Sequence, residues 1–588
     1  MVLERIYRPS DLRSLSVDEM EYLADEIRDL IIKKVNTIGG HLGPNLGIVE
    51  TTIAMHYVFN APTDRFIFDV SHQCYPHKIL TGRKEGFIDP EKYYVYTGYT
   101  APEEGVYDLF KVGHTSTSVS LAAGVAKARD LKREKYNVIA LIGDGSLTGG
   151  EAFEGLNNGA ALGSNFIVIV NDNDQSIAEN HGGLYSHLKE LRENYGDLPN
   201  NFFETLGYDY YFVEDGNNVF KVIKTLQKVK DTDHPVIVHI ATKKGKGYRP
   251  AEENREAYHW ILPGALDEKE ESVQQPQESY ASITNEYILN KARTDKTFIA
   301  INAATPGVFG WNHEFREKLG GQYTDVGIAE EHAIAYASAL AKSGTKPLFA
   351  VMSSFIQRTY DQMSQDLALN NSPLTMLVYW GGISGADATH LCTFDIPLIS
   401  NIPNMVYLSP VYKEEYLKML DWAVNQTKYP VAIRVPNIEL ISSGSEDSTD
   451  YSVLNKFKIT KHGKDIAIIG AGNFHLLALD TASEIKEKLG IEPTVINPRY
   501  LTGVDKDMLN RLKQDHRLVI TLEDGVLDGG FGEKITRFYG DSDMKVLNYG
   551  ASKEFTDRVP LDELYKKYRL TKEQITEDAG KCLSLIEV

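Results

Sequence analysis

Only three of the 588 residues are cysteine (Cys74, Cys392 and Cys582), an odd and scattered set. That excludes a disulfide framework, and none of the three has zinc-site spacing, so reduced thiols and a cytoplasmic location are expected. No uncharged apolar run approaches the roughly 20 residues of a membrane span, and the first stretch, MVLERIYRPSDLRSLSVDEM, lacks the apolar core of a secretory signal. Positive charge is in short supply: 62 Lys and Arg against 82 Asp and Glu leave a formal net charge of −20. Nucleic acid and anionic membranes are therefore not expected as partners. Low-complexity tracts and short-period repeats are missing too. Gly470-Ala471-Gly472 follows an apolar run, but the glycine that would complete a dinucleotide fingerprint is absent, so it reads as a turn.

What the chain does have is a long alternation of short apolar runs and amphipathic stretches. Asn137–Gly143 (NVIALIG), Asn165–Asn171 (NFIVIVN) and Pro235–Ala241 (PVIVHIA) are β-branched, apolar throughout and bounded by Gly, Asn or Pro. Strands covered on both faces of a parallel sheet read this way. EAFEGLNNGAALG, between the first two, reads as the helix of a strand–helix–strand unit. Further strands are predicted at Thr297–Asn302, Pro347–Met352, Pro373–Trp380, Met405–Ser409 and Pro430–Val435, and in DIAIIGAGN, EPTVINP and RLVITLED. Two polar stretches, Gly264–Tyr280 and Ile441–Asn455, lack apolar periodicity and read as linkers. The expected architecture is α/β: three consecutive domains, 1–265, 281–440 and 456–588, with mostly parallel sheets.

The most informative chemistry lies at Gly143-Asp144-Gly145 and Asn171-Asp172-Asn173, each ending a buried strand. Ligands of open α/β sheets bind at the carboxyl ends of strands, so both loops should face one crevice. Magnesium takes octahedral oxygen ligands and shares them with phosphates. One carboxylate, one amide oxygen, one backbone carbonyl and two diphosphate oxygens would satisfy it. Gly145 permits close backbone approach, and the helix starting near Gly149 turns its amino end to the negative charge. Either motif alone would read as an ordinary turn or loop. Their placement on successive strands points to a diphosphate–metal site.

Other segments extend the pattern: GGHLGPNLGIVE with His41, FDVSHQCYPHKILTGR with His72, and VGHTSTSVSLAAG with Gly113, His114 and Thr115. Further along come TKKGKGYRPAE with Tyr248, DVGIAEEHA with Glu330, SSFIQRTYDQ with Phe355 and Arg358, and GGISGADATH with Asp387 and His390. EDGVLDGGFG closes the series. In order and across nearly the whole chain, these resemble the signatures of the 1-deoxy-D-xylulose-5-phosphate synthase family of transketolase-like enzymes.

The resemblance implies a thiamine-diphosphate-binding fold, thiamine diphosphate and Mg2+ as cofactors, and a homodimer. His72, Gly113, His114, Thr115, Gly145 and Ser146 would meet the diphosphate. Asp144, Asn173 and a backbone carbonyl near Gln175 would hold the metal. Tyr248 would lie against the cofactor and Phe355 on its aminopyrimidine. Glu330 would hydrogen-bond a ring nitrogen of that aminopyrimidine and so promote removal of the thiazolium proton. His41, His72 and His390 would move protons on substrate oxygens. Arg358 and Asp387, with His390, would meet substrate.

The implied substrates are a 2-oxo acid or ketose donor and an aldehyde acceptor. In the family reaction these are pyruvate and glyceraldehyde 3-phosphate. The chain departs from the pattern where guanidinium groups usually hold substrate anions. Trp380 and Asn437 replace two arginines, and the segment upstream of Gly113 (FIDPEKYYVYTGYTAPEEGVYD) has none. Arg358 and Arg434 remain, and Lys243, Lys244, Lys246 and Arg249 are near in sequence. A transketolase-like or acyloin-forming enzyme with another donor or an unphosphorylated acceptor is therefore a second reading. A non-catalytic paralogue is a third, against which Asp144, Asn173 and Glu330 speak.

Overall fold

A computed structural model describes residues 1–267 and 278–586. The chain divides into two compact units, Met1–Val273 with Gly327–Ala329, and Gln274–Val326 with Glu330–Val588.

The first unit is built on a five-stranded, all-parallel sheet. Its order is Arg65–Phe68, Val138–Gly143, Phe166–Asp172, Pro235–Ala241 and Asp209–Val213. All seven residues of Phe166–Asp172 are buried, as predicted for a strand covered on both faces. Each such Val, Ile or Phe contributes roughly 1.5–3 kcal/mol of apolar burial. A helix packed on Val49–Val58, Val17–Ile38, starts at a capping box formed by Ser16 and Glu19. It buries Met20, Leu23, Ile27, Ile31 and Val35, spaced three and four apart. On that face Arg28 donates both to Glu50 (2.5 and 2.6 Å) and to the Leu46 carbonyl, so its buried charge is paired.

The second unit contains two sheets. One is six-stranded and all parallel, in the order Val406–Leu408, Val431–Arg434, Thr375–Tyr379, Lys346–Met352, Phe298–Asn302, Tyr323–Asp325. The other runs Lys458–Lys461, Thr494–Asn497, Asp465–Gly470, His516–Val526, Lys545–Ala551, with only its first pair antiparallel. One hydrophobic cluster joins the two, with Ile301, Phe349 and Met376 beside Ile469, Ile496 and Phe531.

Of the polar stretch 264–280, residues 268–277 lie outside the described residues. The stretch 441–455 forms no helix or strand but is tied down. Ser443 donates to Glu414, Arg499 donates to Thr449, and the buried Tyr451 carbonyl accepts from the Tyr500 hydroxyl. Among the described residues, no helix is long and apolar enough to cross a membrane.

Candidate active site

In the first unit, Val138–Gly143 and Phe166–Asp172 are parallel neighbours with Gly143 opposite Asn171. The two motif loops therefore leave the same end of the sheet side by side. Asp144 is 2% exposed, and its Oδ2 accepts from the Gln175 amide (3.1 Å) and from Asn180 Nδ2 (2.8 Å). The loop after Asn173 thus wraps this carboxyl. Burial, reinforced by the neighbouring Asp172, raises the Asp144 pKa to about 8. Asn173 presents a buried Oδ1 that accepts no hydrogen bond among the described residues. A buried acceptor left so costs roughly 1–3 kcal/mol. Gly145 is also hemmed in within the protein, since an added Cβ would lie 2.7 Å from Ser176 Oγ and 3.0 Å from Ser176 Cβ.

The surrounding side chains hold these loops in place. Asp69 takes the Ser116 amide on Oδ1 (2.8 Å) and the Ser118 amide on Oδ2 (3.0 Å), while Ser116 Oγ donates to the Ser146 carbonyl (2.8 Å). The Gly113–Thr115 turn and the Asp144–Ser146 turn are thereby joined. Asp172 is buried, yet His239 Nε2 (2.8 Å) and Arg192 Nη1 (2.5 Å) hold its carboxyl below the usual carboxylate range. Arg192 also grips Asp174, so one guanidinium brackets Asn173 from both sides. Lys244 is 1% exposed and donates to the Ser176 carbonyl (2.6 Å); burial lowers its pKa to about 7.

Three histidines cluster in the same unit. The His41 ring centroid lies 5.0 Å from that of His72 and 5.6 Å from that of His259, and Tyr99 is 6.0 Å from His41. Asn45 Nδ2 donates to the carbonyls of both His41 (2.8 Å) and His72 (2.7 Å), which explains the pairing of two motifs distant in sequence. Burial and three neighbouring bases push His259 well below the ordinary imidazole pKa. Tyr248 packs edge-on to Tyr258, on a turn whose Gly245 amide donates to the Gly43 carbonyl. The arginine-free segment is anchored from beneath by Lys78–Glu104 and Arg83–Asp108 pairs, both at 2.5 Å.

Asn45, His259, Asp69, Asn180 and Arg192 are not among the predicted site residues, and Lys244 figures there only as a nearby base. Asn45, Asp69 and Lys244 do lie within the motif segments GGHLGPNLGIVE, FDVSHQCYPHKILTGR and TKKGKGYRPAE. The others look like ordinary polar residues until the fold assembles them.

In the second unit, Glu330 is the first residue of the helix Glu330–Lys342 and is 3% exposed. Its Oε2 makes no hydrogen bond among the described residues, and Arg358 Nη1 stands 3.9 Å away. Burial raises the Glu330 pKa to about 7 against the opposing pull of Arg358. Phe355 and His390 are ring neighbours at 5.9 Å. Asp387 Oδ1 accepts from the Thr389 amide (3.0 Å) and hydroxyl (2.8 Å), and Thr389 Oγ1 is 2.9 Å from His390 Nδ1. Burial lowers the His390 pKa despite Asp387. The unit thus brings Glu330 together with Arg358, and Phe355 with Asp387 and His390.

Arg434 is placed differently from expectation. It is buried, chelates Asp395 (2.7 and 3.1 Å) and donates to the Asp524 carbonyl (2.6 Å), so it is committed inside the fold. Trp380 is 43% exposed with left-handed backbone (φ 63°), and Asn437 is exposed.

A family profile described as 1-deoxy-D-xylulose-5-phosphate synthase matches residues 3–197 and 193–242. Profiles for the transketolase pyrimidine-binding and C-terminal domains match 278–441 and 455–575. The 1-deoxy-D-xylulose-5-phosphate synthase of Clostridium acetobutylicum is 37% identical over 618 residues, covering 98% of each chain. That of Caldanaerobacter subterraneus subsp. tengcongensis is 38% identical over 620 residues, again covering 98% of each. The chain belongs to the 1-deoxy-D-xylulose-5-phosphate synthase family. Among solved structures, a transketolase from Leishmania mexicana is 15% identical, with 96% of this chain and 97% of that one covered and a TM-score of 0.43.

As a member of the 1-deoxy-D-xylulose-5-phosphate synthase family with a transketolase pyrimidine-binding domain, the chain is an enzyme, a transferase of the thiamine-diphosphate-dependent type. The residues present fit that cofactor's demands. Among the described residues, no group of three or more His, Cys, Asp or Glu is placed to hold a metal ion. A cation at Asp144 and Asn173 would therefore complete its shell with other oxygens, as Mg2+ does when it shares a diphosphate. For this synthase-family chain, the departures are at Trp380, at Asn437 and in the arginine-free segment before Gly113, while Asp144, Asn173 and Glu330 are present.

Proposed function

We propose that the chain joins pyruvate to glyceraldehyde 3-phosphate with loss of carbon dioxide, giving 1-deoxy-D-xylulose 5-phosphate. Thiamine diphosphate and Mg2+ are its cofactors. The observation that carries the reading is the buried Asp144 carboxyl beside the unpartnered Asn173 Oδ1, on adjacent strand ends, in a chain of this family. Asp144, Asn173 and the backbone carbonyl of Gln175 hold the metal. His72, Gly113, His114, Thr115, Gly145 and Ser146 meet the diphosphate, and Tyr248 and Phe355 pack on the cofactor. When bound, thiamine diphosphate supplies a carbon nucleophile and accommodates the electron pair left by departing carbon dioxide.

Glu330 holds a proton at an aminopyrimidine nitrogen, a task that suits a carboxyl with a pKa of about 7. His41, His72 and His390 transfer protons to and from substrate oxygens; His390, with its pKa lowered by burial, enters as a neutral base. Arg358 and Asp387 orient the substrates. A homodimer and a cytoplasmic location complete the proposal, supported by the resemblance and by the sparse cysteines.

The test is a coupled assay on purified enzyme. Carbon dioxide release from pyruvate is followed with glyceraldehyde 3-phosphate present, and the product is identified by mass spectrometry. A five-carbon ketose monophosphate is expected, dependent on both cofactors. Turnover restricted to other carbonyl pairs would remove the assignment.

A further inference from the structure

In the first unit, the two residues before His72 both hold left-handed backbone, Val70 at φ 55° and Ser71 at φ 64°. For a β-branched valine this is a genuine outlier, and neither residue has a glycine's freedom to sit there without cost. Strain of this kind persists only where the surroundings over-determine it, and it gathers at functional sites. The constraint is visible on both sides of the turn. Before it, the Asp69 carboxyl takes the Ser116 and Ser118 amides. After it, Asn45 Nδ2 donates to the His72 carbonyl, Asn45 Oδ1 accepts the Tyr75 amide (2.9 Å), and Gln73 Oε1 accepts from Asn171 Nδ2 (3.0 Å).

The Ser71 side chain ties the same turn to a stretch some thirty to forty positions further on. It is completely buried, and its hydroxyl donates to the Val112 carbonyl (2.6 Å) while accepting the Thr100 amide (2.9 Å). One O–H and one lone pair are thereby both used. Thr100 belongs to the arginine-free segment and follows Tyr99, whose ring lies 6.0 Å from that of His41. Val112 leads into the Gly113–Thr115 turn. Thr100 and Val112 are themselves buried, so removing the hydroxyl takes a partner from a buried amide and a buried carbonyl at once. We propose that Ser71 is a positioning residue for the reaction: its hydroxyl clamps the strained turn against Thr100 and Val112 and so fixes the aim of the His72 imidazole. The inference rests on the proton-transfer role given to His72 under the proposed function.

The experiment is a double-mutant cycle on kcat, using full-length enzyme with saturating thiamine diphosphate, Mg2+, pyruvate and glyceraldehyde 3-phosphate. Ser71→Ala keeps the backbone constrained and removes the hydroxyl. It should lower kcat roughly tenfold or more, because a misplaced proton-transfer group penalises the transition state rather than substrate binding; both KM values should stay within about threefold. In a His72→Gln background the same change should alter kcat less than about twofold, since no imidazole is left to aim. Ser71→Gly separates this role from a purely structural one. Glycine accepts the left-handed backbone freely, so this variant should melt above Ser71→Ala yet turn over no faster. A residue that only stabilised the fold would make the more stable glycine variant the faster. An unchanged kcat in Ser71→Ala, additive losses in the cycle, or Ser71→Gly faster than Ser71→Ala overturns the proposal while leaving the assigned reaction intact. His72→Gln with wild-type kcat removes the proton-transfer role of His72 and this inference with it.

Discussion

Replacing Glu330 by Gln should cost activity and add stability in one step, with the two effects separable by pH. The carboxyl is 3% exposed. Burial, opposed by Arg358 and aided by Glu331, raises its pKa from 4.5 to about 7. In the cofactor-free protein, the folded state then binds a proton that the unfolded chain gives up between those values. The associated stability is fully present below about pH 4.5 and is lost as pH rises through about 7. The gap from 4.5 to about 7, at about 1.4 kcal/mol per pH unit, amounts to about 3 kcal/mol.

Gln cannot titrate, so cofactor-free Glu330→Gln should match wild type near pH 4.5 and exceed it by up to about 3 kcal/mol above pH 7. Amide hydrogen exchange in the helix 330–342, followed from pH 5 to 8.5, reads this locally and avoids assuming two-state unfolding of a two-unit chain. Turnover with saturating cofactors should fall at least about 100-fold. Parallel exchange profiles at every pH together with full turnover would refute both the buried-carboxyl argument and the proton-holding role.

Asp144→Ala should abolish Mg2+-dependent binding of thiamine diphosphate in isothermal titration, with far-ultraviolet circular dichroism unchanged; retained binding would move the metal elsewhere. Arg192→Gln removes the group that brackets Asn173 and should weaken cofactor binding about tenfold or more, because the metal loop then pays an ordering cost on binding. Its turnover at saturating cofactor should stay near wild type, and a proportional loss of turnover would instead give Arg192 a part in the chemistry.

The parallel architecture could be read from the sequence wherever strands are covered on both faces. Pro235–Ala241 coincides with its predicted span, and Val138–Gly143 and Phe166–Asp172 fall within a residue of theirs, because unbroken apolar runs such as 138–142 and 166–170 have few alternatives. Two edge strands gave no such signal. Lys458–Lys461 has lysine at both ends of an Ile-Thr pair and half faces solvent, and Asp209–Val213 is mostly part-exposed. Asp144 and Asn173, just past the ends of neighbouring strands, and Glu330, at the start of a helix, stood out as candidates by their motifs, and the structure buries the carboxyls of Asp144 and Glu330. Groups that act through the fold did not stand out. Arg434 looked available until Asp395 and Asp524 were seen around it, and Asn45 tethers two histidines 31 positions apart only once both loops have formed.

Asp69 reaches two amides of the Ser116–Ser118 turn, and Ser116 in turn reaches the Ser146 carbonyl. Under the proposed function these turns form the socket for the cofactor's anionic tail, and their hydrogen bonds are already made in the ligand-free protein. Capture of the diphosphate then needs little loop closure, so association should follow single-phase kinetics at a rate set by encounter and ion dehydration, with no slow rearrangement afterwards.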